Sequence, residues 1–467
     1  MMRIIVLLRN DLRLHDHPAL SQASLHGEIL PIYVLEDDLG TAFKHWTHRN
    51  LESLQISIRE IGGELYVSNT SLPQTVHALL NELEFDAVYF NRSYHPKQRI
   101  RDEEFAIHLV EKGLIVKIFE GTMLLPPSET LKENGEPYQV FTPFYKQFRT
   151  KSVPQVVPRV RDAQFVEVPV SMKNISPDIN LLQLASSPPW TDGIDKSWSP
   201  GEDAAIERIQ TFIDEDVAAY KIMREFPAVP GTSRISPYLA VGALSVRSVF
   251  HYAQKMKPDV SEAFIRQLVW RDFAYQMLVH YPEIVSKPLN MKFLKFPWLN
   301  NEEHYTKWST GQTGIPLIDA GMRELRSTGY IHNRVRMNIA SYLTKHLLVD
   351  FTKGMSLFWD TLVDADIANN TFGWQWASGS GADASPYFRI FNPYLQSKKF
   401  DNEALYIRKW IPELRGLSDK DIMEPDQASS EALEEAGVRL GETYPYPIVT
   451  HKAGRARALL AYDEIKK

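Results

Sequence analysis

The sequence predicts an α/β N-terminal domain built on a doubly wound parallel sheet, followed by a large all-α C-terminal domain. Three observations lead there. Short apolar runs alternate with amphipathic stretches over the first third of the chain. A polar, proline-rich connection comes next. Beyond residue 201 strand-like runs vanish and long helical patterns take over. The boundaries read as 1–125 for the sheet domain, 126–200 for the connection and 201–467 for the helical domain. A chain of 467 residues exceeds one ordinary core, so two domains are expected.

The elements follow in order. Strands are expected at "RIIVLL" (3–8), "ILPIYV" (29–34), "ELYV" (64–67), "DAVYF" (86–90) and "LIVKIF" (114–119). Helical patterns such as "RNLESLQISIREIGG" (49–63) and "DEEFAIHLVEKG" (102–113) lie between them. Continuous apolar strands joined by helices mean a parallel sheet covered on both faces. "RNDLRLHDHPAL", and no GxGxxG, follows the first strand, so a dinucleotide fingerprint is missing and the sheet need not hold the main cofactor. The connection ("VPQVVPRV", "SSPPWTDG", "SWSPG") reads as a long surface stretch rather than a third domain. The helical half is carried by "GEDAAIERIQTFIDEDVAAYKIM", "SEAFIRQLVWRDFAYQMLVHY" and "RMNIASYLTKHLLVDF".

Composition narrows the function classes. A hydrophobic content of 44% excludes a disordered chain, and no apolar run approaches the ~20 residues of a membrane span. The start "IIVLL" is too short for a secretory signal. Zero cysteines exclude disulfides, thiolate nucleophiles and cysteine-bound metal sites, and the expected setting is the cytoplasm. A net charge of −6 argues weakly against nucleic acid as a partner. Its distribution argues back: from Gly321 to Met355 six basic residues face only Glu324 and Asp350, a local +4. That window is either a solvated helix face or an anion-binding surface.

Four constellations stand out in the helical half. Ser236-Pro237 reads as an N-cap and first helical position, preceded by Gly231, Thr232, Ser233 and Arg234. Amides, hydroxyls and a guanidinium at a helix start suit a phosphate or pyrophosphate, although the same residues also describe a capped helix with a surface arginine. In "FIRQLVWRDFAYQML" (264–278), Gln267 and Arg271 share a helical face with Phe264 and Trp270 nearby, either a polar-lined pocket or an amphipathic helix with a core tryptophan. "GYIHNRVRMNIASYL" (329–343) puts Asn333 and Met337 on one face beside His332, Arg334 and Arg336. In "DADIANNTFGWQW" (364–376), Asp364 and Asp366 begin like a calcium loop, but Ala368, Asn369 and Gln375 break that pattern. Carboxylates, paired amides and two tryptophans suit the edge of a heteroaromatic ring, or tryptophan core packing.

Taken together, "GTSRISPYLAVGALS", "QLVWRDF", "TGYIHNRVRM", "DADIANNTFGWQWASGSGADASPYFRIFNP" and "YPYPIVTHK" resemble, in this order, the photolyase/cryptochrome family. The likeness is greatest to bacterial cyclobutane pyrimidine dimer photolyases. It is dense from about 200 to 460 and looser over the sheet, where "RNDLRLHDHPAL" and "YQVFTPFYKQF" carry it. The resemblance implies an antenna domain followed by a helical domain holding FAD in a U shape. Tyr220, Thr232, Ser233, Arg234, Ile235 and Ser236 would hold its diphosphate and ribityl region. Phe264, Gln267, Arg271, Tyr330, Asn333, Arg336, Asp364, Asp366, Asn369 and Asn370 would surround the flavin. Asp364 would pair with Arg336, and Asn370 would face the central ring nitrogen. Trp270 and Trp376 would wall the pocket for a flipped lesion, with Met337 as its floor and Gln267 and Asn333 at the pyrimidine edges. Lys221, Arg224, Arg334 and Arg389 would grip phosphates. The implied reaction is light-driven electron transfer from reduced FAD to the dimer. The implied partner is UV-damaged DNA, single- or double-stranded, with no membrane and no obligate protein partner, and the chain would act as a monomer.

Three positions depart from the family pattern. Trp374 matches the innermost and Trp298 the outermost of three tryptophans that reduce the flavin in light, but the middle position is Phe351. Trp359 or nearby tyrosines are the expected detour. Gln267 stands where cyclobutane photolyases carry glutamate and (6-4) photolyases glutamine, while Asn333 and Met337 match the cyclobutane enzymes. Gln98 replaces a pterin-binding glutamate, which leaves methenyltetrahydrofolate, a deazaflavin or no second chromophore open. The alternatives are a (6-4) photolyase, a cryptochrome-type blue-light receptor, whose mark is a long C-terminal extension, and a dark flavin oxidoreductase, against which the missing nicotinamide fingerprint tells.

Overall fold

The computed structural model describes residues 1–35, 39–185 and 191–466; "SSPPW" of the connection, 186–190, lies outside the described residues. The chain alternates β1 (Met2–Leu8), α1 (Pro18–His26), β2 (Gly27–Val34), α2 (Thr41–Glu60), β3 (Tyr66–Ser68), α3 (Leu72–Glu82), β4 (Ala87–Asn91), α4 (Pro96–Glu111) and β5 (Ile115–Phe119). All five expected strands form, within two residues of the apolar runs that announced them. The sheet order is β5-β4-β1-β2-β3, parallel throughout. Ile4 to Leu8 are all buried, which is why β1 reads as an unbroken apolar run rather than an alternating one. One face packs Ile5, Leu7, Ile32, Val88 and Phe90 with Val76, Leu79, Phe105 and Leu109 of α3 and α4.

The connection adds two strands of two residues each, β6 (Gln164–Phe165) and β7 (Ile175–Ser176). β6 runs parallel to β2, and β7 is antiparallel to β3 at the sheet edge. Two-residue strands carry no periodic signal, so nothing in the residue order marks them. In the same stretch the helix Phe141–Phe148 buries Phe141, Phe144, Tyr145 and Phe148.

Strand order reverses between β1 and β4, where an open α/β sheet usually offers a ligand crevice. Here the chain fills it. Asn91 at the end of β4 donates to Asp11 (2.8 Å), and His17 lies 3.2 Å from the same carboxylate. The Arg13 guanidinium donates to the carbonyls of His15, Asp16, Gly121 and Gly242. "RNDLRLHDHPAL" is therefore a buried polar plug in place of a glycine loop.

Two compact units interleave along the chain. The first comprises Met1–Ala218, Ser233–Pro282 and Val363–Ala368; the second comprises Ala219–Thr232, Glu283–Leu362 and Asn369–Lys467. Two of the expected long helices are interrupted. The 201–223 pattern forms a helix at Glu202–Thr211, a π turn at Phe212–Asp216 and a short helix at Tyr220–Met223. The 336–351 pattern forms Asn333–Ser341 and a π turn at Tyr342–His346, then stops at Leu348, whose φ is +49°. Asp350 starts the next helix, Phe351–Thr361, by accepting from the Thr352 amide at 2.9 Å. No described helix is long and apolar enough to cross a membrane.

Candidate functional site

In the first unit the candidate residues gather on three segments. Ser236, expected as an N-cap, is instead the first residue of the helix Ser236–Val241, with Ile235 at the cap. The reason is a competing bond: the Ser236 hydroxyl donates to Asp364 Oδ2 at 2.7 Å. Arg234, two residues earlier, sits at φ +53°, a region that costs a non-glycine residue on the order of 1 kcal/mol. Its guanidinium stacks 4.4 Å over Trp198, and Arg208 holds the Ser233 carbonyl at 2.9 Å. These contacts fix the "GTSRIS" turn in its strained shape.

The helix Pro258–His280 carries the second segment. Phe264 is buried 4.9 Å from Phe212. Gln267 donates to the carbonyl of Ala263 on its own helix at 3.3 Å. Trp270 lies flat on Phe141, with centroids 3.7 Å apart and planes 7° from parallel. Arg271 donates to the Thr122 carbonyl at 2.7 Å and comes within 4.0 Å of Asp366. Asp366 also accepts the Tyr275 hydroxyl at 2.5 Å. Burial works to lower the Arg271 pKa, but Tyr275, Asp366 and Asp272 more than offset it and hold the guanidinium above its usual value. Burial pushes the Asp272 carboxyl up to about 7, against the pull of Arg271 and the amides of Leu125 and Leu124.

The second unit assembles a cationic set around His332. Arg224 covers the buried Tyr220 ring at 5.2 Å, and Lys221 is exposed beside it. Thr232 follows Gly231, where an added Cβ would stand 2.5 Å from the Met223 carbonyl oxygen, so the turn admits only glycine. Arg334 pairs with Glu225 and stacks 4.3 Å over Phe400. Arg336 donates through Nε to the Ile331 carbonyl at 2.7 Å and lies 5.0 Å over Tyr330. His332 caps the next helix, accepting the Arg334 amide on Nδ1 at 3.2 Å. Its Nε2 is buried with no hydrogen-bond partner among the described residues. Burial, reinforced by Arg336 and Arg224, lowers its pKa to about 4. Asn333 and Met337 do share a face, with Nδ2 3.9 Å from Sδ.

The helix Ile367–Ser378 supplies the rest. Asn369 is exposed, and Asn370 donates Nδ2 to the Met355 carbonyl at 3.0 Å, which leaves Oδ1 as its acceptor. Trp374 is buried and Trp376 partly exposed. Between them Gln375 is pinned from three sides, by the amide of Leu289 (2.8 Å) and the carbonyls of Ile284 (2.7 Å) and Lys287 (2.9 Å). Trp298 packs 4.4 Å from Phe296, and Trp359 lies half-buried on the Phe351–Thr361 helix. Arg389 is exposed, with its carbonyl held at 3.1 Å by the buried Lys345 amine. Burial, then Arg389, lowers that amine to about 7. Asp364 and Arg336 fall in different units, and their pairing remains an expectation.

Sequence reasoning passed over Phe141, Tyr275, Lys345 and Gln375. Each acts on a candidate residue from a distant segment or through a backbone carbonyl, and no local pattern announces such contacts.

The chain matches the description "DNA photolyase" over residues 4–161 and "FAD binding domain of DNA photolyase" over residues 264–464. It is 40% identical to a deoxyribodipyrimidine photo-lyase of Agrobacterium fabrum, across 99% of this chain and 98% of the relative. The chain belongs to the DNA photolyase family. A deoxyribodipyrimidine photo-lyase of Escherichia coli is 34% identical across 99% of each chain. The crystal structure of a bacterial class III photolyase from Agrobacterium tumefaciens superposes with a TM-score of 0.95 at 40% identity, covering 100% of this chain and 98% of the other.

The photolyase FAD-binding region takes in the candidate residues from Phe264 to Arg389, whereas those from Tyr220 to Ser236 precede it. The donor set of this photolyase chain fits FAD. The first unit offers the Asp364 carboxylate at a strained, guanidinium-bearing turn and the Asp366 carboxylate near Arg271, and the second offers arginines around His332 and, elsewhere, the amide carbonyl of Asn370. Phosphate oxygens, ribityl hydroxyls and a ring with both donors and acceptors match groups of these kinds.

Proposed function

We propose that this protein is a light-driven deoxyribodipyrimidine photo-lyase that splits cyclobutane pyrimidine dimers in UV-damaged DNA. The observation that carries the reading is end-to-end relationship, at 40% identity, to a chain of that name, combined with Asn333 and Met337 paired on one helical face. Bound and reduced, FAD would supply the electron that opens the cyclobutane ring and then receive it back. The chain's residues hold, orient and shield. Ser236 with Asp364, and Arg271 and Tyr275 with Asp366, would form two polar groups that hold the cofactor. Met355 fixes the amide nitrogen of Asn370, so its carbonyl oxygen would be the end left to accept a ring N–H.

Trp270 and Trp376 would each offer an apolar face to a flipped dinucleotide, and Phe141 stacks flat on the Trp270 ring. Gln267 would meet a pyrimidine edge, as would Asn333, which shares its helical face with Met337. Lys221, Arg224, Arg334 and Arg389 bind the phosphates around the lesion, which gives an affinity that is salt-dependent and indifferent to sequence. The protein would act in the cytoplasm on single- or double-stranded DNA. The test is illumination of chemically reduced, FAD-loaded protein with an oligonucleotide bearing one cyclobutane thymine dimer. Recovery of the pyrimidine ultraviolet absorbance is expected; dimers that persist under light refute the proposal.

A further inference from the structure

Phe351 breaks the expected tryptophan series, which raises the question of what refills Trp374 after it gives up an electron. Trp374 is seated by a missing side chain: a Cβ on Gly354 would stand 2.1 Å from its Cη2 atom. Among the described residues the aromatic rings packed on Trp374 are Phe358, with centroids 5.0 Å apart, and Trp308, at 6.2 Å and edge-on. Phenylalanine has no heteroatom lone pair to stabilise a hole, so Trp308 is the oxidisable neighbour. Trp359 follows Phe358 on the same helix, about 100° round its axis. Trp298 meets Phe296 instead, at 4.4 Å.

Trp308 is fully buried, and its indole N–H donates to the Ile339 carbonyl at 3.3 Å. It has no route by which to lose that proton to water, so it passes charge on rather than trapping it. On its other side Tyr305 stacks with centroids 5.7 Å apart and planes 28° from parallel. Tyr305 is partly exposed, and its hydroxyl reaches the Lys353 carbonyl only at 3.4 Å. The phenol can therefore release its proton to solvent.

We propose that Trp374, Trp308 and Tyr305 form the route by which oxidised FAD is reduced in light, bypassing Phe351. Trp374 gives one electron to light-excited FAD. Trp308 refills Trp374, and Tyr305 refills Trp308 while its phenolic proton passes to water. A small thiol then returns one electron and one proton to Tyr305 and leaves as a thiyl radical, two of which couple to a disulfide, so each electron delivered to FAD consumes one thiol. This inference rests on the FAD site proposed above.

The experiment uses FAD-loaded, oxidised full-length protein, illuminated with a thiol and followed by transient absorption and electron paramagnetic resonance. The parent should yield a long-lived tyrosyl signal. Trp308→Phe should slow photoreduction at least tenfold and abolish that signal. Tyr305→Phe should leave a shorter-lived tryptophanyl signal in its place. Adding Phe351→Trp to Trp308→Phe should restore photoreduction, which separates a broken route from a misfolded variant. Photoreduction of Trp308→Phe at the parental rate would overturn the proposal, as would loss of the signal in Trp359→Phe with Trp308 intact. Repair by chemically reduced parent protein reports separately on the proposed function.

Discussion

The Ser236 hydroxyl donates to the Asp364 carboxylate at 2.7 Å, joining the "GTSRIS" turn to the "DADIANN" segment across more than a hundred residues of sequence. This bond costs Ser236 its expected role as a helix cap. In return it orients a carboxylate that, under the proposed function, would meet FAD.

Ser236→Ala should therefore weaken FAD binding. A hydrogen bond to a charged group contributes about 1.5–3 kcal/mol, so a loss of roughly tenfold or more is expected. Fluorescence titration of apoprotein with FAD measures it, and unchanged affinity would remove this bond from the cofactor site.

Trp376 stays partly exposed, although Trp374, two residues earlier, is buried. Gln375, held by three backbone groups, fixes that difference. Trp376→Ala should cost about 1–3 kcal/mol of lesion affinity, the scale of base–aromatic stacking. Binding of dimer-containing and undamaged oligonucleotides in the dark checks it, and the loss should be confined to the damaged one.

Gly354→Ala should destabilise the protein by about 1–3 kcal/mol, because the added methyl group collides with the Trp374 ring and with Leu343. Denaturant unfolding reads the change. A neutral result would mean that Trp374 is less firmly seated than its contacts indicate.

His332 gives a pH prediction. Its pKa falls from 6.5 to about 4, chiefly through burial. Between these values the unfolded chain binds the proton that the folded chain refuses. The stabilisation is present above pH 6.5 and is lost as pH falls toward 4, on the order of 3 kcal/mol in all. His332→Asn keeps a capping acceptor but does not titrate. Unfolding free energies measured across this range should fall less steeply with acid in the variant than in the parent.

Arg389 is exposed on a loop whose backbone is held by Lys345. Arg389→Gln should reduce the salt dependence of duplex binding by about 0.9 in logarithmic slope, the value for one phosphate contact. Titrations at several salt concentrations test this, and an unchanged slope would place Arg389 off the DNA.

Much of this was legible in the residue order, and for identifiable reasons. β1, β2, β3 and β4 are buried almost throughout, so each appears as a nearly continuous apolar run, whereas the edge strand β5 keeps its apolar run although its residues are exposed or half-buried. Asn333 and Met337 are four residues apart on a helix, and their shared face is a matter of period alone. What stayed hidden depends on contacts between distant segments. In "KWSTGQTG" Trp308 reads as one tryptophan on an amphipathic helix, and nothing nearby reveals that it meets Trp374. Ser236 reads as a cap because the competing carboxylate at Asp364 lies far along the chain. Phe141 sits in a stretch that reads as connection, yet it carries the flat face of Trp270.

The central claim is that the reduced holoprotein repairs cyclobutane dimers. Its most direct measurement offers the chemically reduced protein two oligonucleotides of one sequence, one carrying a cyclobutane thymine dimer and the other a (6-4) lesion, under blue light and in darkness. The cyclobutane dimer alone should be converted to two thymines, and only in light. Conversion of the (6-4) lesion instead, or of neither, would contradict the claim.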